Sequence, residues 1–151
     1  MSLFLGIDTS NYTTSCAIVE NGNVVKNCKL PVTVKPGERG VRQSDAVFSH
    51  VKNFPELMAQ VGEVKPCAIG VSISPRDEEG SYMPCFLSGY AVASSLAEVL
   101  NIPLYTFSHQ AGHVRAALYS AGKDELVSEK LLAFHVSGGT TEVLLYDGGK
   151  I

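Results

Sequence analysis

The chain has 151 residues, 45% of them hydrophobic, and a net charge of −3, which is typical of one globular domain with a sizeable core. Because this charge provides no overall basic surface, binding to RNA would need a local patch or a partner subunit. The first residues do not resemble a signal peptide and no apolar run approaches the length of a membrane span, so we expect a cytoplasmic protein without membrane contact.

The first half of the chain predicts three strands followed by one helix. The strands are expected at residues 3–7, 16–19 and 24–30, with a polar loop at 8–15, an Asn-Gly turn at 21–22 and an irregular connection at 30–44. Apolar residues then recur with helical spacing over residues 44–61, at Val47, Val51, Phe54, Leu57, Met58 and Val61. Pro55 lies within this stripe, and we expect it to kink or restart the helix.

The second half alternates strands and helices before two final strands. We expect a buried strand at 67–74, a helix at 85–100, a strand at 102–107, a helix from His109 toward Tyr119 capped by Ser108, and strands at 131–136 and 142–146. The order β-β-β-α-β-α-β-α, then β-β, indicates the α/β class with a mixed sheet. The cysteines at 16, 28, 67 and 85 match neither a zinc-site spacing nor a disulfide framework, so we expect buried reduced thiols.

An internal repeat relates the start of the chain to its end. "LGIDTSNYTTSCAIVENGNVV" and "AFHVSGGTTEVLLYDGGKI" both read as strand, loop of small or hydroxylic residues, strand and Gly-containing turn, although two hairpins can look alike by chance. Duplicated units of this order resemble the actin, sugar-kinase and Hsp70 (ASKHA) superfamily, with its ribonuclease H-like lobes. On this resemblance, residues 1–125 form an N-terminal actin-like ATPase lobe, and residues 126–151 are the opening β-hairpin of a truncated second lobe.

In that superfamily the loops of the two hairpins face each other across a cleft and wrap the phosphates of a nucleotide. Glycines allow close backbone approach, and consecutive N–H groups form a concave anion site. A carboxylate such as Asp8 can hold the water ligands of a Mg²⁺ ion beside the phosphates. Both loops are also common turn compositions, so their residues alone leave a purely structural role open.

A histidine pair in "SHQAGHVRAAL" is the second candidate site. His109 and His113 are four residues apart, so on a helix both imidazoles share one face and can reach one metal ion. The alternative is that one ring is packed and the other solvated. Gln110 stands where a zinc metalloprotease carries its Glu base, which disfavours a peptidase. Neither His50 nor His135 has a spacing that nominates it as a further ligand.

Four segments together resemble the TsaD/Gcp family, long labelled O-sialoglycoprotein endopeptidases or peptidase family M22. These segments are "LGIDTSNYTTS", "GVRQSDAVFSHVKNFPELM", "SHQAGHVRAAL" and "FHVSGGTTEVLL". The resemblance implies the N-terminal half of a longer protein that binds ATP or threonylcarbamoyl-AMP, with Mg²⁺, and a divalent metal, iron or zinc. It also implies transfer of the threonylcarbamoyl group to N6 of adenosine 37 in tRNA, with TsaB-like and TsaE-like protein partners.

The resemblance assigns roles by position in the motifs. It assigns metal binding to His109 and His113, with an Asp of the C-terminal half as third ligand, and it assigns no catalytic residue. A metal held there could act as a Lewis acid on the carbamoyl or threonyl oxygens. The residues assigned to nucleotide and phosphate binding are Asp8, Thr9 and Ser10 in the first loop and Ser137, Gly138, Gly139 and Thr140 in the second.

Two departures from the family pattern weaken the inference that this chain has the function of the family. The first loop continues as "NYTTS" where the family has a Cys-Asp-Glu-Thr type of sequence, and "SPRDEEGSYMP" replaces a glycine-rich loop. The three acidic residues of this second segment, Asp77, Glu78 and Glu79, would repel RNA phosphates. These departures favour a divergent paralogue, and we expect the fragment to be inactive alone. Two alternatives remain open: a non-catalytic scaffold of the same fold that pairs with an active homologue, and the glycoprotease or metallopeptidase of the older label.

Overall fold

The computed structural model of the chain describes residues 2–34, 37, 40–136 and 141–151. Strands and helices alternate in these ranges much as the sequence predicts. In chain order the elements are β1 Leu3–Asp8, β2 Thr13–Glu20, β3 Asn23–Pro31, α1 Gln43–Val61, β4 Ala68–Ser74, α2 Cys85–Leu100, β5 Leu104–Ser108, α3 His109–Ser120, a 3₁₀ segment Asp124–Ser128, β6 Lys130–Val136 and β7 Thr141–Asp147. No helix within the described ranges combines the length and the hydrophobicity needed to cross a membrane.

Strands β1 to β5 form one mixed sheet in the order β3-β2-β1-β4-β5. The first three strands are antiparallel neighbours, whereas β4 is parallel to β1 and β5 is parallel to β4. Asn21 and Gly22 have φ values of 49° and 83°, the left-handed conformations of a tight hairpin turn. Each parallel strand is reached through a helix, because a parallel connection has to return along the sheet. The predicted α/β class with a mixed sheet is confirmed.

The main core lies between the sheet and helices α1 and α2. Leu5 and Ile7 of β1 are only 2% and 3% exposed, while Phe4, one residue before Leu5, is 42% exposed, as expected when successive side chains point to opposite faces. The other buried members of this core are Cys16, Ile18, Cys28, Phe54, Leu57, Val61, Ile69, Val71, Ala93 and Ala97. The sheet is therefore fixed to the two helices through one of its faces.

Helix α1 differs from its prediction in two ways. It runs without interruption through Pro55, so the expected restart is wrong. Its buried face consists of Ala46, His50, Phe54, Leu57 and Val61, whereas Val51 of the predicted stripe is 59% exposed. The N-terminal part of the helix is thus rotated relative to the predicted stripe, because the core contains a polar partner for His50. That partner is the Thr14 hydroxyl, whose oxygen lies 2.8 Å from His50 Nδ1.

The cysteines are all free thiols, but they are not all buried. Cys16, Cys28 and Cys85 are buried, while Cys67 is exposed, so the expectation of four buried thiols is wrong for Cys67. Cys67 lies one residue before β4, whose buried part begins at Ala68. Burial, with a contribution from Cys28, raises the pKa of the Cys16 thiol to about 12.

Strands β6 and β7 form a separate two-stranded antiparallel sheet. One face packs on α3 through Val114, Leu144 and Tyr146. The opposite face leaves five large apolar side chains more than half exposed: Leu132, Phe134, Val136, Val143 and Leu145. The hairpin thus packs against its own lobe on one side only. The predicted boundary between residues 125 and 126 stays a prediction.

Candidate functional site

The carboxyl ends of β1, β4 and β5 lie at one edge of the sheet because these three strands are parallel. In open α/β sheets, this is the edge at which ligands bind. Strand β1 ends at Asp8, and α3 begins at His109 directly after β5. The predicted loop residue Asp8 and the predicted metal residue His109 therefore meet here, although they are 101 positions apart in the chain.

The start of α3 is fixed by a side-chain cap. Ser108 has an extended backbone, and its Oγ accepts a hydrogen bond from the Ala111 N–H at 3.1 Å. This is the N-cap that the sequence predicts, and it satisfies one of the free N–H groups at the beginning of a helix. Because the helix begins at His109, the spacing of four residues brings His113 onto the same face.

The two imidazoles of the pair converge through their Nε2 atoms. His109 Nε2 and His113 Nε2 are 2.8 Å apart, and the rings meet edge to face with centroids 4.3 Å apart. Burial lowers the pKa of His113, as do the nearby His109 and His135, while Asp8 opposes them. His113 is therefore biased toward the neutral ring, the form of imidazole that binds a metal.

Asp8 holds the other side of the His109 ring. Its Oδ1 lies 3.0 Å from His109 Nδ1, and its Oδ2 accepts hydrogen bonds from the Ser10 N–H at 3.1 Å and the Ser10 hydroxyl at 2.6 Å. Burial by itself raises the pKa of Asp8, but the hydrogen bond and charge of His109, together with hydrogen bonds from Ser10 and Ser72, hold it well below its usual range. Asp8 is therefore an ionised carboxylate that only accepts.

The predicted phosphate-loop residues have different environments. Thr9 is fully buried, and its hydroxyl donates to the Cys85 carbonyl at 2.9 Å and accepts from the Gly89 N–H at 3.1 Å. That hydroxyl joins the first loop to α2. The residues predicted for the second loop, Ser137, Gly138, Gly139 and Thr140, lie outside the described residues.

A polar cluster beside the histidine pair was not predicted from the sequence. Glu142 forms an ion pair with Arg76 and accepts a hydrogen bond from Gln110 Nε2 at 2.8 Å. His135 lies next to it, with its ring centroid 5.7 Å from that of His113. His135 lies on the face of β6 that packs against α3, so the alternation of side chains along the predicted strand could have indicated its position. The cluster joins the β6–β7 hairpin to the edge that carries the site.

The donor set of the histidine pair fits a transition metal. Two converging imidazole nitrogens suit zinc or iron, and His109 and His113 would supply them. Within residues 2–34, 37, 40–136 and 141–151, no group of three or more His, Cys, Asp or Glu side chains is arranged to hold a metal ion. Further ligands would therefore have to come from outside the described residues or from solvent and substrate.

Comparison with solved structures identifies the class of protein. A Thermus thermophilus ROK hexokinase matches with a TM-score of 0.56 and 16% identity, over 98% of this chain and 47% of that one. YeaZ from Pseudomonas aeruginosa matches with a TM-score of 0.54 and 16% identity, over 95% of this chain and 65% of that one. The mixed sheet and these neighbours define a protein of the ASKHA, ribonuclease H-like fold.

Comparison of sequences identifies the family. Residues 38–151 match the family described as TsaD, tRNA N6-adenosine threonylcarbamoyltransferase. A Methanopyrus kandleri protein of that name is 25% identical over 97% of this chain and 42% of its own length. The chain belongs to the TsaD family, and it spans about 42% of the length of that relative.

Proposed function

We propose that this chain is the N-terminal portion of a metal-binding enzyme that transfers threonylcarbamoyl from threonylcarbamoyl-AMP to N6 of adenosine 37 in tRNA. The observation that carries the proposal is the convergence of His109 Nε2 and His113 Nε2 at 2.8 Å, at the edge of the sheet where ligands bind. Membership of the TsaD family supports the reaction class. The reaction on tRNA also favours a cytoplasmic location.

The proposed metal is a divalent ion, iron or zinc, bound by His109 and His113. When bound, it would supply a Lewis acid that polarises an oxygen of the carbamoyl or threonyl group. The contribution of the chain is to hold the two imidazoles in one orientation, with His109 fixed between Asp8 on one side and His113 on the other. Rigid ligands of this kind reduce the cost of assembling the site around a substrate.

The proposed nucleotide site combines the loop between β1 and β2 with Ser137, Gly138, Gly139 and Thr140, which lie outside the described residues. Loops of small and hydroxylic residues can present backbone N–H groups to phosphate oxygens, and the two segments would hold ATP or threonylcarbamoyl-AMP with Mg²⁺. The buried Thr9 hydroxyl is committed to α2 and the Ser10 hydroxyl to Asp8, so we assign the contact of the first loop, predicted at Asp8, Thr9 and Ser10, to its backbone.

The proposed domain organisation assigns residues 126–151 to the opening hairpin of a second lobe. Five exposed apolar side chains on one face of β6–β7 support this assignment, because a sheet face of this kind is usually covered in the complete protein. We also propose tRNA and TsaB-like or TsaE-like proteins as partners of the whole protein. The structural likeness to YeaZ is consistent with a common fold among these proteins.

The test is complementation of a strain depleted of the tRNA modification with the full-length gene. Restoration by the wild type and loss in the His109→Ala/His113→Ala double variant would support the proposal. No restoration, despite good expression and bound metal, would contradict the proposed reaction and favour a divergent paralogue. No restoration, with neither iron nor zinc bound by the purified wild type, would favour a non-catalytic scaffold of the same fold.

A further inference from the structure

Asp8 has its two carboxylate oxygens occupied by different partners. Oδ1 faces His109 Nδ1 at 3.0 Å, whereas Oδ2 accepts from both the N–H and the hydroxyl of Ser10. A carboxylate with both oxygens engaged by protein donors has a fixed orientation and little capacity left for the waters of a Mg²⁺ ion. This arrangement differs from the role beside the phosphates that the loop position suggests.

The contact with Asp8 decides which nitrogen of His109 carries the proton. Oδ2 already accepts from two Ser10 donors, and Oδ1 lies 3.0 Å from Nδ1 as the remaining acceptor, so this geometry has His109 donating its Nδ1–H to Asp8. In a neutral ring the lone pair then resides on Nε2, the atom that faces His113 Nε2 at 2.8 Å. The tautomer that Asp8 selects thus places a lone pair on the converging nitrogen, which accepts from His113 Nε2–H in the metal-free chain and can bind a metal in its place.

We propose that Asp8 is a positioning residue of the metal site, which fixes the tautomer and the ring orientation of His109, and that Ser10 holds Asp8 in place. This inference rests on the proposed metal binding by His109 and His113. A carboxylate that accepts from the distal nitrogen of a ligand histidine raises the basicity of that ligand, and its loss typically lowers metal affinity about 10-fold to 100-fold.

The first experiment measures the affinity of the full-length gene product for Co²⁺, used alone as a spectroscopic probe, in competition with a chelator. Asp8→Asn should lower the affinity about 10-fold to 100-fold, because an amide cannot accept on both sides as the carboxylate does. Asp8→Glu retains the acceptor and should lose less. The control Glu98→Gln removes an exposed carboxylate near the end of α2, at the opposite edge of the sheet, and should not change the affinity.

The same variants distinguish this role from the phosphate role. If Asp8 instead holds Mg²⁺ beside a nucleotide, Asp8→Asn will weaken Mg²⁺-ATP binding in a calorimetric titration and leave Co²⁺ affinity unchanged, and the inference is overturned. If the wild type and the His109→Ala/His113→Ala variant bind Co²⁺ equally, the proposed metal site fails, and the inference fails with it. If the wild type binds Co²⁺ and Asp8→Asn does not change that affinity, the inference about Asp8 is overturned while the proposed metal site stands.

A second measurement needs no substitution at Asp8 and covers the case in which that variant does not fold. Long-range ¹H–¹⁵N spectra of the metal-free wild type report which nitrogen of His109 is protonated, with His109→Gln used to assign its signals. We expect the proton on Nδ1. A proton on Nε2 would overturn the inference. Ser10→Ala should lower Co²⁺ affinity in the same direction as Asp8→Asn but by less, since it removes only one donor to Oδ2.

Discussion

Thr9, in the loop beside the site, is in close contact with Gly89 of α2, and this contact predicts how a substitution at Gly89 changes the stability of the chain. A Cβ atom at Gly89 would lie 2.8 Å from Thr9 Oγ1, 3.3 Å from Thr9 Cγ2 and 3.5 Å from Ile7 Cγ2. Overpacking of this kind costs about 1 to 3 kcal/mol, and strain on the hydrogen bond from the Gly89 N–H to Thr9 adds about 0.5 to 1.5 kcal/mol. Higher helix propensity returns about 1 kcal/mol, so Gly89→Ala should destabilise the chain by about 0.5 to 3.5 kcal/mol.

The measurement is urea unfolding followed by circular dichroism, with Gly112→Ala as the matched control. Gly112 also lies inside a helix, but no atom is within 4 Å of its added Cβ, so that variant should gain up to about 1 kcal/mol. In a Thr9→Ala background the two closest atoms are gone, and Gly89→Ala should then become neutral or stabilising. Equal shifts for Gly89→Ala and Gly112→Ala, or no change of the Gly89→Ala effect in the Thr9→Ala background, would refute the packing argument.

The remaining predictions concern a core histidine, an exposed thiol, the polar cluster and the hairpin. Burial lowers the pKa of His50 below 6.5, with Asp8 opposing the shift, so the contribution of the neutral ring to stability is complete above about pH 6.5 and is lost as the pH falls. His50→Gln should therefore flatten the decrease in the free energy of unfolding between pH 7 and 5, measured by urea unfolding. Equal pH slopes for the variant and the wild type would contradict this prediction. Only Cys67 should react rapidly with a thiol reagent in the native chain, and Cys67→Ser should abolish that fast phase. A second thiol that reacts rapidly would contradict the burial of the other three cysteines. Glu142→Ala should increase the rate of amide hydrogen exchange in β6 and β7 about 5-fold to 30-fold, because it removes the ion pair with Arg76 and the hydrogen bond from Gln110. Unchanged exchange would show that apolar packing alone holds the hairpin. Phe134→Lys should raise the solubility of the 151-residue chain without lowering its Tm, since that side chain is 74% exposed; a lower Tm would mean that Phe134 is packed.

Local sequence patterns were sufficient to place most elements and the histidine pair. The predicted helix at 85–100 coincides with α2, and Ser108 caps α3 as expected. The four-residue spacing of His109 and His113 is enough to place both rings on one face of a helix. Such features depend on neighbours three or four positions away, so the chain encodes them in short segments. The resemblance to the TsaD family rested on segments of the same kind, and the family match confirms it.

Local patterns failed where a distant residue decided the outcome. The stripe predicted for α1 included Val51, but the helix buries His50 instead because Thr14, 36 positions away, offers a hydrogen-bond partner in the core. Pro55 was expected to kink or restart the same helix, yet the helix is continuous through it, and Phe54 and Leu57 on either side pack in the core against the sheet. Tertiary contacts thus overrode a propensity worth about 3 kcal/mol.

By itself, the sequence determined the α/β class, the order of the elements and the presence of a histidine pair on one helix face. Only the tertiary structure decided what surrounds that pair. Parallel pairing of β1 with β4 and of β4 with β5 brings Asp8 to His109, and docking of the β6–β7 hairpin on α3 brings His135 to His113. Periodicity along a chain specifies which face a side chain occupies, whereas the order of strands in a sheet specifies which faces meet.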